Sequence, residues 1–491
     1  MQRLSLDTLA TVPPEARPAF EPGSLALGMV HLGAGAFWRA HAAVHTDDVV
    51  ATGDDRWGVL AASQRSRAVP DSLAPQDGLY AVLTRPGEGE PSVRVVGVLR
   101  EVACAADEPQ RIVDAIATPS VHVVTLTVTE KGYRIDEGGR LAVDDEVRAD
   151  LEGRPPGTVV GQIARGLQAR ALAGGPVTII SCDNLTGNGP MLRRLVRDFV
   201  DRLPPAEAEP LAGWIEQHAT FPATMVDRIV PATVAADRDE VARLLGVADE
   251  ACVVAEPFSQ WVIADDFAGP RPAWERAGAN LTDDVAPYEH VKLRLLNATH
   301  SLIAYLGTLA GYETIAEALA DPRIDAVARA LIDRDQLPTL AAPDGMDLVA
   351  YRDEVLRRFS NPALGHRTAQ VAMDGSVKLP QRLVGAVRDR RARGAVPEVA
   401  ALLIAAWMRA VGARRDDAGS PLDISDPLSE RLAGIVDRPA PDQEIAGDVL
   451  ALAGTFGDGL ADDAELVRAV ARQYATLREH GALAAAADVV G

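Results

Sequence analysis

The stretch VHLGAGAFWRAH, Val30 to His41, decides how the front of this chain is read. Val30 to Leu32 close an apolar, β-favouring run, GMVHLG, and Gly33 and Gly35 come directly before a segment of helical period. Glycines at such a turn let the backbone bend tightly and come close to a pyrophosphate. The helix beyond offers unpaired N–H groups and the positive end of its dipole. The stretch predicts a dinucleotide site, with Gly33, Gly35, Ala36 and Phe37 at the cofactor. Two departures from the GxGxxG pattern stand out. Trp38 occupies the position of the third glycine, so the usual close approach of helix and strand is not expected. After the second strand, where an acidic residue would hold a ribose hydroxyl, the chain has Ser63-Gln64-Arg65-Ser66-Arg67. Basic residues there suit either a 2′-phosphate or an ordinary solvated loop, which leaves NAD and NADP both open.

Outward from this turn, GMVHLG (28–33), RWGVLAAS (56–63), VRVVGVL (93–99), VHVVTLTV (121–128) and PVTIISC (176–182) read as strands. Helical segments such as AHAAVHTDDVVA and PQRIVDAIA lie between them, the alternation expected of βαβ units and a parallel sheet. Beyond Pro287 apolar residues recur every three to four positions through HVKLRLLNATHSLIAYLGTLAG, EVAALLIAAWMRAVG and AELVRAVARQYATLRE. The expectation is an α/β dinucleotide-binding domain at 1–285 and a mainly α-helical substrate domain at 286–491. A cleft between two domains is a preferred ligand site.

Bulk properties narrow the partners. The formal charge of −21 over 491 residues argues against nucleic acid or an anionic membrane surface. The three cysteines stand singly, so neither a disulfide framework nor a metal cluster is expected, and a reducing cytoplasm is the natural setting. MQRLSLDTLATVPPEARP lacks the apolar run of a signal peptide. The stretch Val399 to Met408 is about half of what a membrane span needs. Oligomeric state leaves no mark.

KLRLLNATHS, Lys292 to Ser301, places an amine, an amide and an imidazole among leucines. With an α-helical step of about 100°, Asn297 lies about 140° and His300 about 80° round from Lys292. One side of a helix therefore carries three polar groups whose burial without partners would be costly. SCDNLTGNG (181–189), with Asn184 and Asn188 among glycines, follows a strand, where α/β proteins place ligands. Alcohol oxidation needs a base for the hydroxyl proton and donors for the oxygen as it gains charge. A buried lysine and side-chain amides supply both without a metal.

The ordered motifs VHLGAGAFWRAH, LTVTEKGY, SCDNLTGNG, FPATMVDRIVP, EPFSQWVIADDF, KLRLLNATHSLIAYLG and MDGSVKLPQR resemble the long-chain, metal-independent mannitol/polyol dehydrogenases over nearly the whole length. The resemblance implies a Rossmann-type front domain, a helical rear domain, and an NAD- or NADP-dependent oxidoreductase acting on a sugar acid or polyol. It implies Lys292 as acid–base, Asn188 and Asn297 as oxyanion donors, and His300 at the substrate. Glu289 falls on a proton path, and Asp227 and Lys378 on substrate positions. Gln370 stands where mannitol-type members have arginine; with HRT before it, KLPQR after it, GPRPAW (269–274) and LGTLAGYETIA, this resembles the family's fructuronate-reducing branch. The implied pair is D-fructuronate and D-mannonate, with Arg367, Lys378 or Arg382 available to meet a carboxylate. Mannitol and fructose, or a pentitol such as arabinitol, are the alternative. A binding protein without turnover is disfavoured, because it has no use for an acid–base.

Overall fold

Strand β1, Leu27–Leu32, runs through the middle of a six-stranded parallel sheet. The computed structural model describes residues 1–136, 138–457 and 459–491, and its contacts divide the chain into two units, Met1–Ala286 and Pro287–Gly491. In the first unit the strands are β1, β2 (Gly58–Ser63), β3 (Tyr80–Thr84), β4 (Ser92–Val96), β5 (Leu99–Cys104), β6 (Val123–Leu126), β7 (Val177–Ser181), β8 (Ala219–Thr220), β9 (Thr224–Asp227), β10 (Val253–Ala255), β11 (Gln260–Ala264) and β12 (Asn280–Thr282). The main sheet has the order β5-β2-β1-β6-β7-β8, every pair parallel. This is the doubly wound order, in which the strand sequence reverses beside β1 and opens a crevice at the carboxyl ends.

The central strands are buried on both faces, which is why they read as continuous apolar runs. Their alternation is nonetheless strict. Val30, Leu32, Leu60, Ala62, Val124, Leu126 and Ile179 enter one core cluster, and Met29, Val59, Ala61, Val123 and Ile180 the other. Two further three-stranded sheets, β10-β3-β4 and β12-β11-β9, complete the unit.

VRVVGVL corrects one expectation. It is not one strand: β4 pairs antiparallel with β3, and β5 begins at Leu99 as the edge of the main sheet. The break falls at Gly97, where a Cβ would come within 2.8 Å of Pro22 and 3.0 Å of Pro18. Trp38 also finds a place. Its indole, 2 % exposed, stacks on the His31 ring at 4.0 Å, so an aromatic pair fills the helix–strand contact that a third glycine would have closed.

The second unit is helical. Glu398–Trp407 is buried from Val399 to Trp407 and packs against Ala298–Leu309, Ala464–His480 and Ala482–Val490. It is a core helix, and no described helix is long and apolar enough to cross a membrane. Helices of this unit are interrupted by single π turns, among them Lys292–Asn297, Leu331–Gln336 and Pro380–Val384. At Pro380 the cause is plain: proline supplies no N–H and clashes with the carbonyl four residues back.

Candidate active site

In the first unit Gly33 has φ +101, and a Cβ there would sit 2.0 Å from the Thr127 carbonyl oxygen, so only glycine fits. Gly35 caps the helix Ala36–Ala40, and a Cβ on it would meet nothing closer than 3.8 Å. The turn opens on a cavity of about 630 Å³ lined by Gly33, Gly35, Ser63, Arg65, Thr129 and Arg134 among others, with no carboxylate in its wall. Its size and bare glycine backbone fit a dinucleotide. Ala36 and Phe37 form the first helical turn but do not line the cavity; the Phe37 ring stacks instead on His41 at 5.1 Å. Arg65 is paired with Glu146 at 2.9 Å and Arg67 with Asp107 at 2.7 Å, both on the surface.

His31, which sequence reasoning passed over, braces this turn. Its Nδ1 lies 2.8 Å from Thr125 Oγ1, and its Nε2 lies 3.0 Å from both the Gly33 carbonyl and Thr127 Oγ1. Burial pushes its pKa down to about 3, so the ring is neutral. The signal was present: one imidazole inside an apolar strand.

Asn188 opens the helix Asn188–Val200 and is fully buried. Its Nδ2 donates to the carbonyls of Asp183 and Thr224, each at 3.0 Å, and its Oδ1 accepts from Thr224 N at 2.9 Å. In this structure the amide is committed to tying the 181–189 loop to β9. Asp183 in turn accepts from Val128 N, Thr129 N and the Tyr133 hydroxyl, which couples that loop to the cavity wall. Asp227, at the end of β9, is 4 % exposed.

In the second unit, the helix carrying Lys292 corrects the α-helical angles. Ala298 N–H bonds the carbonyl of Leu293, five residues back, so Lys292–Asn297 is a π turn. Residues five apart then stand one above the other, as residues four apart do in an α-helix, and such turns recur at functional sites. Lys292 and Asn297 therefore share one face instead of lying about 140° apart. Lys292 is 6 % and Asn297 5 % exposed, and Asn297 Nδ2 is enclosed with no partner among the described residues. Glu289, 7 % exposed, lies on the preceding helix Ala286–Val291.

His300 Nε2 is likewise enclosed and unpartnered. Its ring stacks on Phe359 at 4.5 Å and meets His366 edge-on at 4.8 Å. Burial, and then the neighbouring His366, Arg382, Lys378 and Arg358, hold its pKa well below the usual histidine range. Lys378 donates to the Met373 carbonyl at 2.6 Å, and burial beside Arg382 lowers it to about 8. Arg382 donates to Ser301 Oγ at 2.8 Å and to the Asn297 carbonyl at 3.2 Å, fixing the end of the π turn. Arg367 and Gln370, expected at the substrate, are exposed, because the backbone of Arg367 bridges to Thr314 and the short helix Thr368–Ala372 turns both side chains outward. His366 and Arg358 were missed; His366 opens the HRT run and Arg358 lies a few residues before it, but only folding shows that they join Lys378 at His300.

Residues 27–276 match the mannitol dehydrogenase Rossmann domain and 284–478 the mannitol dehydrogenase C-terminal domain. The chain is 39 % identical over 477 residues to D-mannonate oxidoreductase of Escherichia coli, covering 96 % of this chain and 97 % of that one. It is 37 % identical over 385 residues to polyol:NADP oxidoreductase of Gluconobacter oxydans, covering 77 % and 78 %. The solved Pseudomonas fluorescens mannitol 2-dehydrogenase, a ternary complex with NAD and D-mannitol, superposes with a TM-score of 0.90 at 37 % identity, over 100 % of this chain and 99 % of that one.

Proposed function

The chain belongs to the mannitol dehydrogenase family, and from that premise we propose that it interconverts D-fructuronate and D-mannonate with NAD(H). The cofactor, when bound, carries the hydride. The Gly33–Gly35 turn and its cavity hold it, and the existing ion pairs of Arg65 and Arg67 favour NAD over NADP, since a 2′-phosphate would have to displace carboxylates. Lys292 takes the hydroxyl proton in oxidation and returns it in reduction. The unpartnered Nδ2 of Asn297 donates to the substrate oxygen as charge grows on it. Asn188 is the second donor in this reading, and to serve it must release one of its two carbonyl bonds. His300 and Asp227 orient substrate hydroxyls, and Glu289 relays the proton of Lys292.

One observation carries the choice of a sugar acid. In a chain of net charge −21, where arginines pair widely with carboxylates, Lys378 and Arg382 are held only by neutral oxygens among the described residues. Cations kept inside a fold without an acid are suited to an anion brought from outside. Steady-state kinetics with D-fructuronate beside D-fructose tests this. A preference for the uronate of tenfold or more in kcat/KM is expected. A preference for fructose would transfer the assignment to a polyol such as mannitol, the substrate of the solved neighbour.

A further inference from the structure

The fold brings His366 into edge contact with His300, near Lys378. Its backbone carbonyl is tied down by Ile315 N–H at 2.9 Å, and its ring is only half-buried, so it is both positioned and reachable. No acid pairs with it among the described residues. Around its edge partner His300, on the helix Ala298–Leu309, lie Arg358 from Leu348–Phe359, Lys378 from Gly375–Leu379 and Arg382 from the following π turn, and of these Lys378 also acts on His366. The acids nearest Lys378 are Asp374 and Asp426. Asp426 is occupied by Ser376 N, Leu428 N and the Trp407 indole, and Asp374 is exposed.

We propose that His366 and Lys378 form the seat of the substrate carboxylate, and that His366 determines the preference for a sugar acid over a neutral sugar. This rests on the assignment of a uronate substrate made above. Burial, and then the adjacent Lys378, depress the His366 pKa to about 4, so in the free protein the ring is neutral at pH 7. An arriving carboxylate reverses that balance: its charge favours the imidazolium, and the ring takes up a proton from solvent as the anion binds. No bond is made or broken beyond this proton transfer. Two charge-assisted contacts, from the imidazolium and from Lys378, then hold the carboxylate.

The test compares wild type with His366→Asn and His366→Gln, using D-fructuronate and D-fructose as substrates and D-mannonate binding by calorimetry in two buffers of different ionisation enthalpy. In both variants the ratio of kcat/KM for fructuronate to that for fructose should fall about tenfold or more, as loss of one charged hydrogen bond implies. Proton uptake on D-mannonate binding should be present in wild type and absent from both variants. An unchanged ratio in folded variants, or no proton uptake by wild type, overturns the seat. If wild type does not reduce D-fructuronate at all, the substrate assignment fails by itself. The seat is then decided on D-mannonate binding alone: uptake lost in the variants supports it, and uptake retained refutes it.

Discussion

Replacing Asn297 with leucine should separate stability from turnover in opposite directions. The Nδ2 group is enclosed and makes no hydrogen bond, while the residue is only 5 % exposed. An unsatisfied buried donor costs about 1–3 kcal/mol, and an apolar group of similar shape removes that cost. The Arg382 contact is to the backbone carbonyl of Asn297 and survives the change. Asn297→Leu should therefore be neutral or stabilising by up to about 2 kcal/mol, a rise of roughly 2–4 °C per kcal/mol for a unit of this size. Turnover should nonetheless fall about 10²–10³-fold, the usual loss for one oxyanion donor. The control is Asn188→Leu, which strands Thr224 N and two carbonyls and should cost on the order of 3 kcal/mol. Scanning calorimetry and single-turnover kinetics on the three proteins decide the matter. A destabilisation of 2 kcal/mol or more in Asn297→Leu, or turnover within about threefold of wild type, refutes the reasoning.

Lys292→Ala should lower turnover by several orders of magnitude while NADH still binds, as followed by nucleotide fluorescence; near-normal turnover would remove the lysine from acid–base chemistry. Gly33→Ala puts a Cβ against the Thr127 carbonyl in the left-handed region and should cost more than about 3 kcal/mol together with loss of NADH binding; a folded variant of full affinity would contradict the turn geometry. His31 is a base with a folded pKa of about 3 against 6.5 unfolded, so its contribution is complete above pH 6.5 and lost as pH falls toward 3. At pH 5 that amounts to about 2 kcal/mol. Urea unfolding of wild type should thus weaken more between pH 7 and pH 5 than that of His31→Asn, and equal slopes would count against a buried neutral ring.

Much of this architecture is legible because it rests on short-range rules. Glycines after a β-run, alternating strand and helix signals, and three-to-four periodicity beyond Pro287 follow from backbone sterics and burial, and the doubly wound sheet realises them. What stayed hidden depends on longer-range packing. In VRVVGVL the lone glycine is a local sign of a break, but which sheet each half joins depends on longer-range pairing. KLRLLN contains neither proline nor glycine, so its π turn carries no local signature, and an α-helical projection set Asn297 about 140° round from Lys292 where the π turn brings the two closer. Arg367 and Gln370 drew attention by their neighbours in sequence, yet both are exposed, while His366 meets the His300 ring.

The two carboxamides show how energetics distinguishes structural from functional polarity. Asn188 satisfies its amide within its own unit, so it braces the fold and can act as a donor only by giving up one of these bonds. Asn297 Nδ2 and His300 Nε2 are enclosed without partners, beside cations that find only neutral oxygens. A fold selected for stability alone would place leucine at such positions, since the surrounding helices already supply an apolar core. Native structures satisfy nearly all buried polar atoms, so Asn297 Nδ2 and His300 Nε2, enclosed near Lys378 and Arg382, suit a ligand that brings polar oxygens. The groups left unpaired, donors and positive charges together, are complementary to an oxygen gaining charge and to a carboxylate.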